Sequence, residues 1–172
     1  MLNRSFNPSA KNQIWAGDIT YIPTKSGFLY LASVMDLFTK KIIGWSMDST
    51  LKSSLVNDAM KMAVRSCKPA SGLLFHSDRG SQYCSKSYRN LLENNGISQS
   101  MSRRGNCWDK APSESFFSTM KREIEGFKNL QNHAEARLKI FDYIEVFYNR
   151  QRLHSSLGYL SPDEFEKKTN PC

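Results

Sequence analysis

Three carboxylates in this sequence have the residue type and context for phosphoryl-transfer chemistry. Asp18 lies inside the apolar run IWAGDITYIP, Asp78 ends the run LLFHSD, and Glu114 falls in the first turn of a predicted helix. Two bare carboxylates about 4 Å apart would repel by about 4 kcal/mol at an effective dielectric constant near 20, and a divalent cation removes that conflict. Hard oxygen ligands suit Mg2+ or Mn2+, and two such ions can activate a water or hydroxyl and stabilise the leaving oxygen. The three acids together therefore indicate metal-dependent phosphoryl transfer.

Each of these acids also has a simpler interpretation. Asp18 could lie on the solvent face of a strand, Asp after a strand is often a turn residue, and the helix dipole favours acids in a first helical turn. Lys121 follows Glu114 by seven residues, close to two helical turns, so both side chains share one helix face. A lysine there would reach a phosphate held by the metal site, although exposed helical lysines are common.

The positive charge of the chain is large and unevenly distributed. The 172 residues carry a formal net charge of +8, with a pI near 9.4. This balance favours a polyanionic partner but is also compatible with plain solubility. Residues 1–111 hold fifteen Lys or Arg against seven acids, whereas residues 112–172 hold nine of each. The few acids of residues 1–111 therefore lie in a segment with excess positive charge. This distribution fits a phosphate-binding surface around an acidic centre.

The composition disfavours a membrane or secreted protein. The longest apolar stretch, FLYLASVM, is too short to span a bilayer, and the N-terminus has no apolar core of a signal peptide. We therefore expect a cytoplasmic protein with no membrane contact. The four cysteines show no C-x-x-C spacing, so we interpret them as reduced thiols rather than zinc ligands.

Hydrophobic periodicity predicts an α/β fold with five strands. Strands are predicted over 14–23, 27–38, 40–48, 71–78 and 97–101, and helices over 53–67, 85–96, 113–127, 132–152 and 161–168. A meander followed by alternating helices and strands indicates a mixed sheet with helices on both faces, where ligand sites gather beyond strand ends. The predicted apolar face of helix 132–152 contains Leu138, Phe141, Ile144 and Tyr148 and, half a turn away, Ile140 and Phe147.

Five sequence motifs together resemble one protein family. They are IWAGDITYI, DLFTKKIIGW, FHSDRGSQY, SMSRRGNCWDKAPSESFFSTMKRE and FYNRQRLHSSLGYLSP, and they extend over about residues 13–165. They resemble the catalytic part of bacterial insertion-sequence transposases of the orfB type, which share the DDE or integrase core with retroviral integrases. Asp18, Asp78 and Glu114 each fall inside a matching motif. The 35 residues between Asp78 and Glu114 are the characteristic family spacing, and Lys121 matches the usual basic position after the glutamate.

The resemblance implies a ribonuclease H-like α/β fold, with a five-stranded mixed sheet flanked by helices. Residues 1–12 are predicted from the sequence pattern to be an irregular lead-in. The resemblance implies a catalytic core with a C-terminal helical extension over residues 13–168. It also implies DNA cleavage and strand transfer that depend on Mg2+, with Mn2+ as a substitute. A water would free a 3′-hydroxyl, which then attacks another phosphodiester without a covalent protein–DNA intermediate. Asp18, Asp78 and Glu114 would be the catalytic residues and would hold two metal ions.

The same resemblance implies partners and a location. The expected partners are DNA, as element ends and as target, and further copies of the chain assembled on that DNA. In a bacterium such a protein is expected in the cytoplasm, associated with the nucleoid. Family members usually carry an upstream DNA-binding region that recognises the element ends. Since the sequence begins just before the first catalytic strand, we do not expect sequence-specific end recognition from these residues.

The loop 102–112 is the predicted main DNA contact. It carries Arg103, Arg104 and Lys110 for phosphates and Trp108 for stacking on a base, although Trp108 could equally pack inward in an ordinary loop. Lys121 and Arg79 complete the predicted DNA-binding residues.

Two further features have open interpretations. In the segment 148–162, Arg150, Arg152 and His154 either contact DNA or pin the last helices to the core. His76 either orients a carboxylate or touches DNA, or it is a hydrogen-bonded histidine of its strand.

Two alternatives to a transposase enzyme follow from the same sequence. One is a DNA-binding remnant that keeps the fold and the charge but has no activity alone. The other is a ribonuclease H-like nuclease acting on RNA–DNA hybrids, which the position of Glu114 and the C-terminal motif disfavour.

Overall fold

A single five-stranded mixed sheet organises the protein. The computed structural model describes residues 7–102 and 111–170. The strands are β1 (Ile14–Thr24), β2 (Gly27–Asp36), β3 (Ile42–Asp48), β4 (Leu74–Ser77) and β5 (Ser98–Met101), in the spatial order β3–β2–β1–β4–β5. The first three strands form an antiparallel meander, whereas β4 runs parallel to β1 and β5 parallel to β4. The predicted mixed sheet of five strands is confirmed.

Helices cover both faces of this sheet. They are α1 (Ser53–Cys67), α2 (Ser81–Cys84), α3 (Lys86–Asn94), α4 (Ala111–Glu123), α5 (His133–Phe141) and α6 (Pro162–Thr169). A π-helical segment, Asp142–Tyr148, continues α5, and short 3-10 turns lie at Phe127–Asn129 and Ser155–Leu157.

The sheet separates two hydrophobic cores because successive strand residues point to opposite faces. In β2, Leu29 and Leu31 belong to the core formed with α4 and α5, whereas Ala32 and Val34 belong to the core formed with α1 and α3. Trp15 is fully buried in the second core. The catalytic candidates therefore lie on a scaffold that is packed on both sides.

The apolar face predicted for helix 132–152 is right for three residues and wrong for the other three. The buried side chains are Ala136, Ile140, Tyr143, Ile144 and Tyr148, whereas Leu138 is 63% exposed and Phe141 46% exposed. At 100° per residue, Leu138 lies about 160° around α5 from the buried Ile140 and Phe141 about 100°, so neither shares its face. Three predicted residues thus face the core, Ile140, Ile144 and Tyr148, whereas Leu138, Phe141 and Phe147 do not.

Two of the cysteines are described by the structure. Cys67 and Cys84 are free thiols, as expected, while Cys107 and Cys172 lie outside the described residues. Burial raises the pKa of Cys67 to about 11, which keeps it in the unreactive thiol form at neutral pH. Within the two described ranges, no helix is long and apolar enough to cross a membrane.

Candidate active site

The parallel register of β1 and β4 aligns two of the predicted acids. Trp15 pairs with Phe75 and Ala16 with His76. Asp18 follows Ala16 by two residues and Asp78 follows His76 by two residues, so the two acids lie at equivalent positions of the neighbouring chain segments. Asp18 also pairs with Ser33 on the other side of β1. The backbone at Asp18 is therefore fixed by the sheet, while Asp78 lies one residue beyond the end of its strand.

The Asp78 carboxylate is oriented by the turn that follows β4. Its Oδ1 accepts a hydrogen bond of 2.8 Å from the Gly80 amide. A Cβ atom at Gly80 would lie 2.9 Å from this Oδ1 and 3.1 Å from Gln82 Oε1. Glycine at this position therefore leaves the space beside the carboxylate open.

Tyr83 of α2 is a buried neighbour of both aspartates. Burial raises the pKa of Tyr83 well above its ordinary value, and the charges of Tyr88, Asp18 and Asp78 act in the same direction. A Cβ atom at Gly17 would lie 3.3 Å from its hydroxyl oxygen. The phenol thus stays neutral close to the two acids. No pattern in the sequence predicts that Tyr83 lies beside them.

Helix α4 brings the third acid to the sheet. Phe116, Phe117 and Met120 anchor the helix in the core, and Glu114 in its first turn remains exposed. Between α4 and β1 lies an open groove of about 640 Å3, called the α4 groove from here on. Its polar and charged lining residues are Asp18, Thr20, Glu114, Ser118, Lys121, Arg122 and Lys128.

The α4 groove thus contains two of the three predicted acids together with Lys121. Asp78 does not line it. Carboxylate oxygens are the ligands that Mg2+ and Mn2+ prefer, so the donor chemistry fits a hard divalent cation. In the described parts of the chain, however, no three His, Cys, Asp or Glu side chains lie close enough together to hold a metal ion.

Three cations form the basic wall of the α4 groove. Lys121 lies with its Nζ 5.0 Å from the centroid of the Tyr21 ring, and burial lowers the pKa of this lysine. Arg122 and Lys128 line the same groove, and neither is predicted from the sequence. Arg122 is adjacent to Lys121 in the chain, but Lys128 lies beyond the end of α4, where helical periodicity gives no signal.

Other predicted DNA contacts have a structural partner or cannot be placed. The Arg79 Nε donates a 3.0 Å hydrogen bond to the Ser102 carbonyl, and its role in DNA binding stays a prediction. His76 is buried, with its Nδ1 3.2 Å from Ser100 Oγ, which agrees with a hydrogen-bonded histidine of the strand. The predicted contacts of the loop lie outside the described residues; these are Arg103, Arg104, Trp108 and Lys110.

The segment 148–162 pins the C-terminal elements to the core. Arg152 makes a bidentate ion pair with Glu123 at the end of α4, with a shortest distance of 2.9 Å. The buried Asn149 side chain accepts from the Ile42 amide and donates to the Ile42 carbonyl, both at 2.9 Å. For Arg152 the structure therefore supports the pinning interpretation.

Two protein-family models match the sequence of this chain. Both describe an integrase core domain, one over residues 8–107 and the other over residues 95–162. The chain belongs to the integrase core domain family. The resemblance identified from the five motifs is thereby confirmed, whereas the exact division into residues 1–12 and 13–168 stays a prediction.

Several curated relatives of this integrase core are transposases of bacterial insertion sequences. The chain is 47% identical over 167 residues to the transposase for insertion sequence element IS904 of Lactococcus lactis, covering 97% of this chain and 66% of that protein. It is 44% identical to the transposase InsF for insertion sequence IS3A of Escherichia coli, covering 98% and 58%. A 31 kDa protein of insertion element IS600 from Shigella sonnei is 48% identical, covering 98% and 62%. The chain therefore spans about three fifths of the length of these relatives.

Solved structures of similar fold are retroviral integrases. The HTLV-2 integrase catalytic core domain in complex with magnesium superposes with a TM-score of 0.71 at 15% identity, covering 93% of this chain and 99% of that one. A chain of the simian T-cell lymphotropic virus intasome superposes with a TM-score of 0.77 at 16% identity, covering 93% and 56%. At this identity the likeness establishes the ribonuclease H-like fold.

Proposed function

We propose that this integrase core is the catalytic core of a DNA transposase. It would hydrolyse one phosphodiester, and the freed 3′-hydroxyl would then attack a second phosphodiester, which joins the two strands. The observation that carries the proposal is the α4 groove, which Asp18 and Glu114 line together with Lys121, Arg122 and Lys128. Acids alone would repel a nucleic acid, and cations alone would only bind it. Their combination in one groove fits a substrate phosphate held beside a divalent cation.

The proposed metal ligands are Asp18, Asp78 and Glu114, with Mg2+ as the ion, Mn2+ as a substitute and two ions in the active state. Bound ions would supply Lewis acidity to the attacking and leaving oxygens. The magnesium complex of the similarly folded HTLV-2 integrase core supports this choice of metal. The hydrogen bond from the Gly80 amide involves Oδ1 of Asp78 alone, and an ionised carboxylate has further lone pairs with which it would bind a metal ion.

The residues of the basic wall position the substrate in this proposal. Lys121, Arg122 and Lys128 would bind phosphates on either side of the scissile bond, which fixes the reacting phosphorus near the carboxylates. Arg79 and the loop residues Arg103, Arg104, Trp108 and Lys110 would hold the strand further away. Element ends and target DNA are the proposed substrates. The trimeric and dimeric forms of HTLV-2 integrase core support assembly into oligomers on DNA.

The test is metal-dependent nicking of supercoiled plasmid by the purified chain. We expect nicking with Mg2+ or Mn2+, none with EDTA, and none above the buffer background for Asp78→Asn and Glu114→Gln. The matched controls are Asp58→Asn and Glu93→Gln, which make the same chemical changes at exposed helix positions and should nick normally. Retained nicking in Asp78→Asn would contradict the proposed role of Asp78 as a catalytic metal ligand.

Two outcomes of this assay would favour another function. A chain that binds duplex DNA but nicks nothing under any metal condition would be the DNA-binding remnant. A chain that cleaves only the RNA strand of an RNA–DNA hybrid would be a nuclease of the ribonuclease H type.

A further inference from the structure

A second polar cavity lies on the other side of helix α4. It has a volume of about 280 Å3 and is called the Lys40 cavity from here on. Its lining residues with polar groups are Lys40, Ser115, Thr119, Tyr148, Arg152, His154 and Ser156. At 100° per residue, Ser115 and Thr119 project from α4 about 100–160° around its axis from Glu114 and Lys121, so the two sites open on different sides of the helix.

The charge of this cavity differs from that of the α4 groove. No carboxylate is among its described lining residues, whereas two line the α4 groove. Its lining side chains carry an ammonium, a guanidinium, an imidazole and four hydroxyls, of which one is the phenol of Tyr148. All of these can donate hydrogen bonds, and two carry a positive charge.

Lys40 is held in place by the tight turn between β2 and β3. The buried Asp36 carboxylate accepts hydrogen bonds of 2.9 Å from the amides of Phe38 and Thr39, and the Lys40 amide donates to the Asp36 carbonyl at 2.9 Å. Lys40 itself has a left-handed backbone, with φ of 60°. A non-glycine residue in this region costs free energy and often serves a local role.

The Lys40 ammonium is partly desolvated without a close counter-ion. Burial lowers the pKa of Lys40, and the charge of Asp36 offsets only part of this effect. Within the described part of the chain, Lys40 forms no ion pair, whereas the adjacent Lys41 pairs with Asp163 and Glu166. A half-buried cation in this state would gain from an anion in the cavity.

Arg152 and His154 bring further donors to the same cavity. Glu123 binds the Nε and Nη2 atoms of Arg152, so the guanidinium is fixed while its Nη1 has no acceptor among the described residues. Burial, with the charge of Arg152, lowers the pKa of His154 to about 4, so its imidazole is neutral at pH 7. Its Nε2 is buried and has no hydrogen-bond partner in the described structure.

We propose that the Lys40 cavity binds a phosphate group, and that its natural occupant is a backbone phosphodiester of the DNA on which the chain acts. Lys40 supplies the charge, while Arg152 and the hydroxyls of Ser115 and Thr119 supply directed hydrogen bonds. The choice of DNA rests on the proposed function. A phosphate here and another in the α4 groove would hold helix α4 between two points of the nucleic acid.

The first test measures DNA affinity without metal, so that cleavage cannot interfere. Anisotropy of a fluorescein-labelled duplex in EDTA gives the dissociation constant at several KCl concentrations. We expect Lys40→Met, which keeps the apolar stem, to weaken binding several-fold and to reduce the slope of log K against log salt by about 0.9, the effect of one phosphate contact. The matched control is Lys61→Met on α1, where the slope should stay nearer to that of the unmutated chain.

The second test uses inorganic phosphate as the probe. The imidazole proton resonances of His154 are followed by NMR while phosphate is added at constant ionic strength, with chloride as the comparison anion. We expect a saturable shift in the unmutated chain and none in Lys40→Met. The absence of any shift in the unmutated chain would overturn the phosphate site.

These outcomes separate the inference from the proposed function. A salt slope that falls in Lys40→Met supports the cavity even if the chain never nicks plasmid. If the unmutated chain nicks plasmid and Lys40→Met has an unchanged salt slope, the DNA contact in the Lys40 cavity is overturned and the proposed transposase activity is still supported. A phosphate shift at His154 with no change in DNA binding would identify a site for free phosphate and overturn DNA as the occupant.

Discussion

Lys121 of helix α4 lies with its ammonium 5.0 Å from the ring centroid of Tyr21 on strand β1. The ring is 58% exposed and meets Phe28 edge-on at 5.5 Å, so an aromatic pair supports the lysine at the margin of the α4 groove. Such an arrangement restrains a flexible side chain, which lowers the entropy it loses when it binds a phosphate.

Removal of this aromatic face should weaken DNA binding. A cation–π contact at an exposed site contributes about 0.5–1 kcal/mol, so we expect Tyr21→Leu to raise the dissociation constant for duplex DNA roughly 2–5-fold. Tyr21→Phe keeps the ring face and should bind like the unmutated chain. Anisotropy titrations measure both variants. Tyr159→Leu, at a ring that is 71% exposed, is the control for loss of a surface aromatic residue. Equal affinities of Tyr21→Leu and Tyr21→Phe would contradict the role of the ring.

Much of the candidate site could be predicted because it follows the sheet. Short apolar runs bounded by turn residues predict strands, and parallel strands bring their ends to one edge. Asp78 follows that logic, whereas Asp18 lies inside β1 and is aligned with Asp78 by the strand register, through the pairing of Ala16 with His76. Glu114 was predicted from its helix and from the family spacing, and it lines the α4 groove with Asp18.

The remaining contacts could not be predicted because they join residues far apart in the chain. Asn149 meets Ile42 across 107 positions, and Arg152 meets Glu123 across 29. Neither pair has a local pattern. The burial of Ala136 in place of Leu138 could not be predicted either. Alanine is found on both buried and exposed helix faces, so its position in the sequence does not indicate which face meets the core.

Replacement of Asn149 should destabilise the fold. Its side-chain amide satisfies both backbone groups of Ile42 at the outer strand β3, and it is only 3% exposed. Asn149→Ala would leave a buried amide and a buried carbonyl unpaired, at a cost of about 1–3 kcal/mol for each unsatisfied group. We expect a clearly lower midpoint of urea unfolding. Asn90→Ala makes the same change at an exposed position of α3 and should unfold near the unmutated midpoint. Similar midpoints for the two variants would show that the amide does not stabilise β3.

The pair of Glu123 and Arg152 should make stability depend on pH. Burial acts to raise the pKa of Glu123, but hydrogen bonds from Arg152 and Tyr143 outweigh it and lower this pKa below its ordinary 4.5. Because the folded pKa is the lower one, the stabilisation is complete above the ordinary pKa and is lost as the pH falls through the folded value. We expect Glu123→Gln to be less stable than the unmutated chain at pH 7 and to differ less from it at acidic pH.

Urea midpoints measured from pH 7 down to about pH 3 test this linkage. Glu93→Gln, at an exposed position of α3, serves as the control for the loss of one carboxylate. A gap between the unmutated chain and Glu123→Gln that stays constant over the whole pH range would contradict the prediction.

Gly44 of β3 should tolerate no side chain, because α1 packs directly against it. A Cβ atom there would overlap the Ala59 carbonyl oxygen and lie 2.8 Å from the Ala63 amide nitrogen. These are backbone atoms of a helix, so they cannot rotate away, and α1 must move off the sheet. We expect Gly44→Ala to cost about 1–3 kcal/mol, measured as a lower urea midpoint with an unchanged m-value. Ser46→Ala, two residues along the same strand, adds no atoms and should cost less. A midpoint for Gly44→Ala at or above that of Ser46→Ala would mean that α1 can yield, and the contact would then not fix the position of this helix.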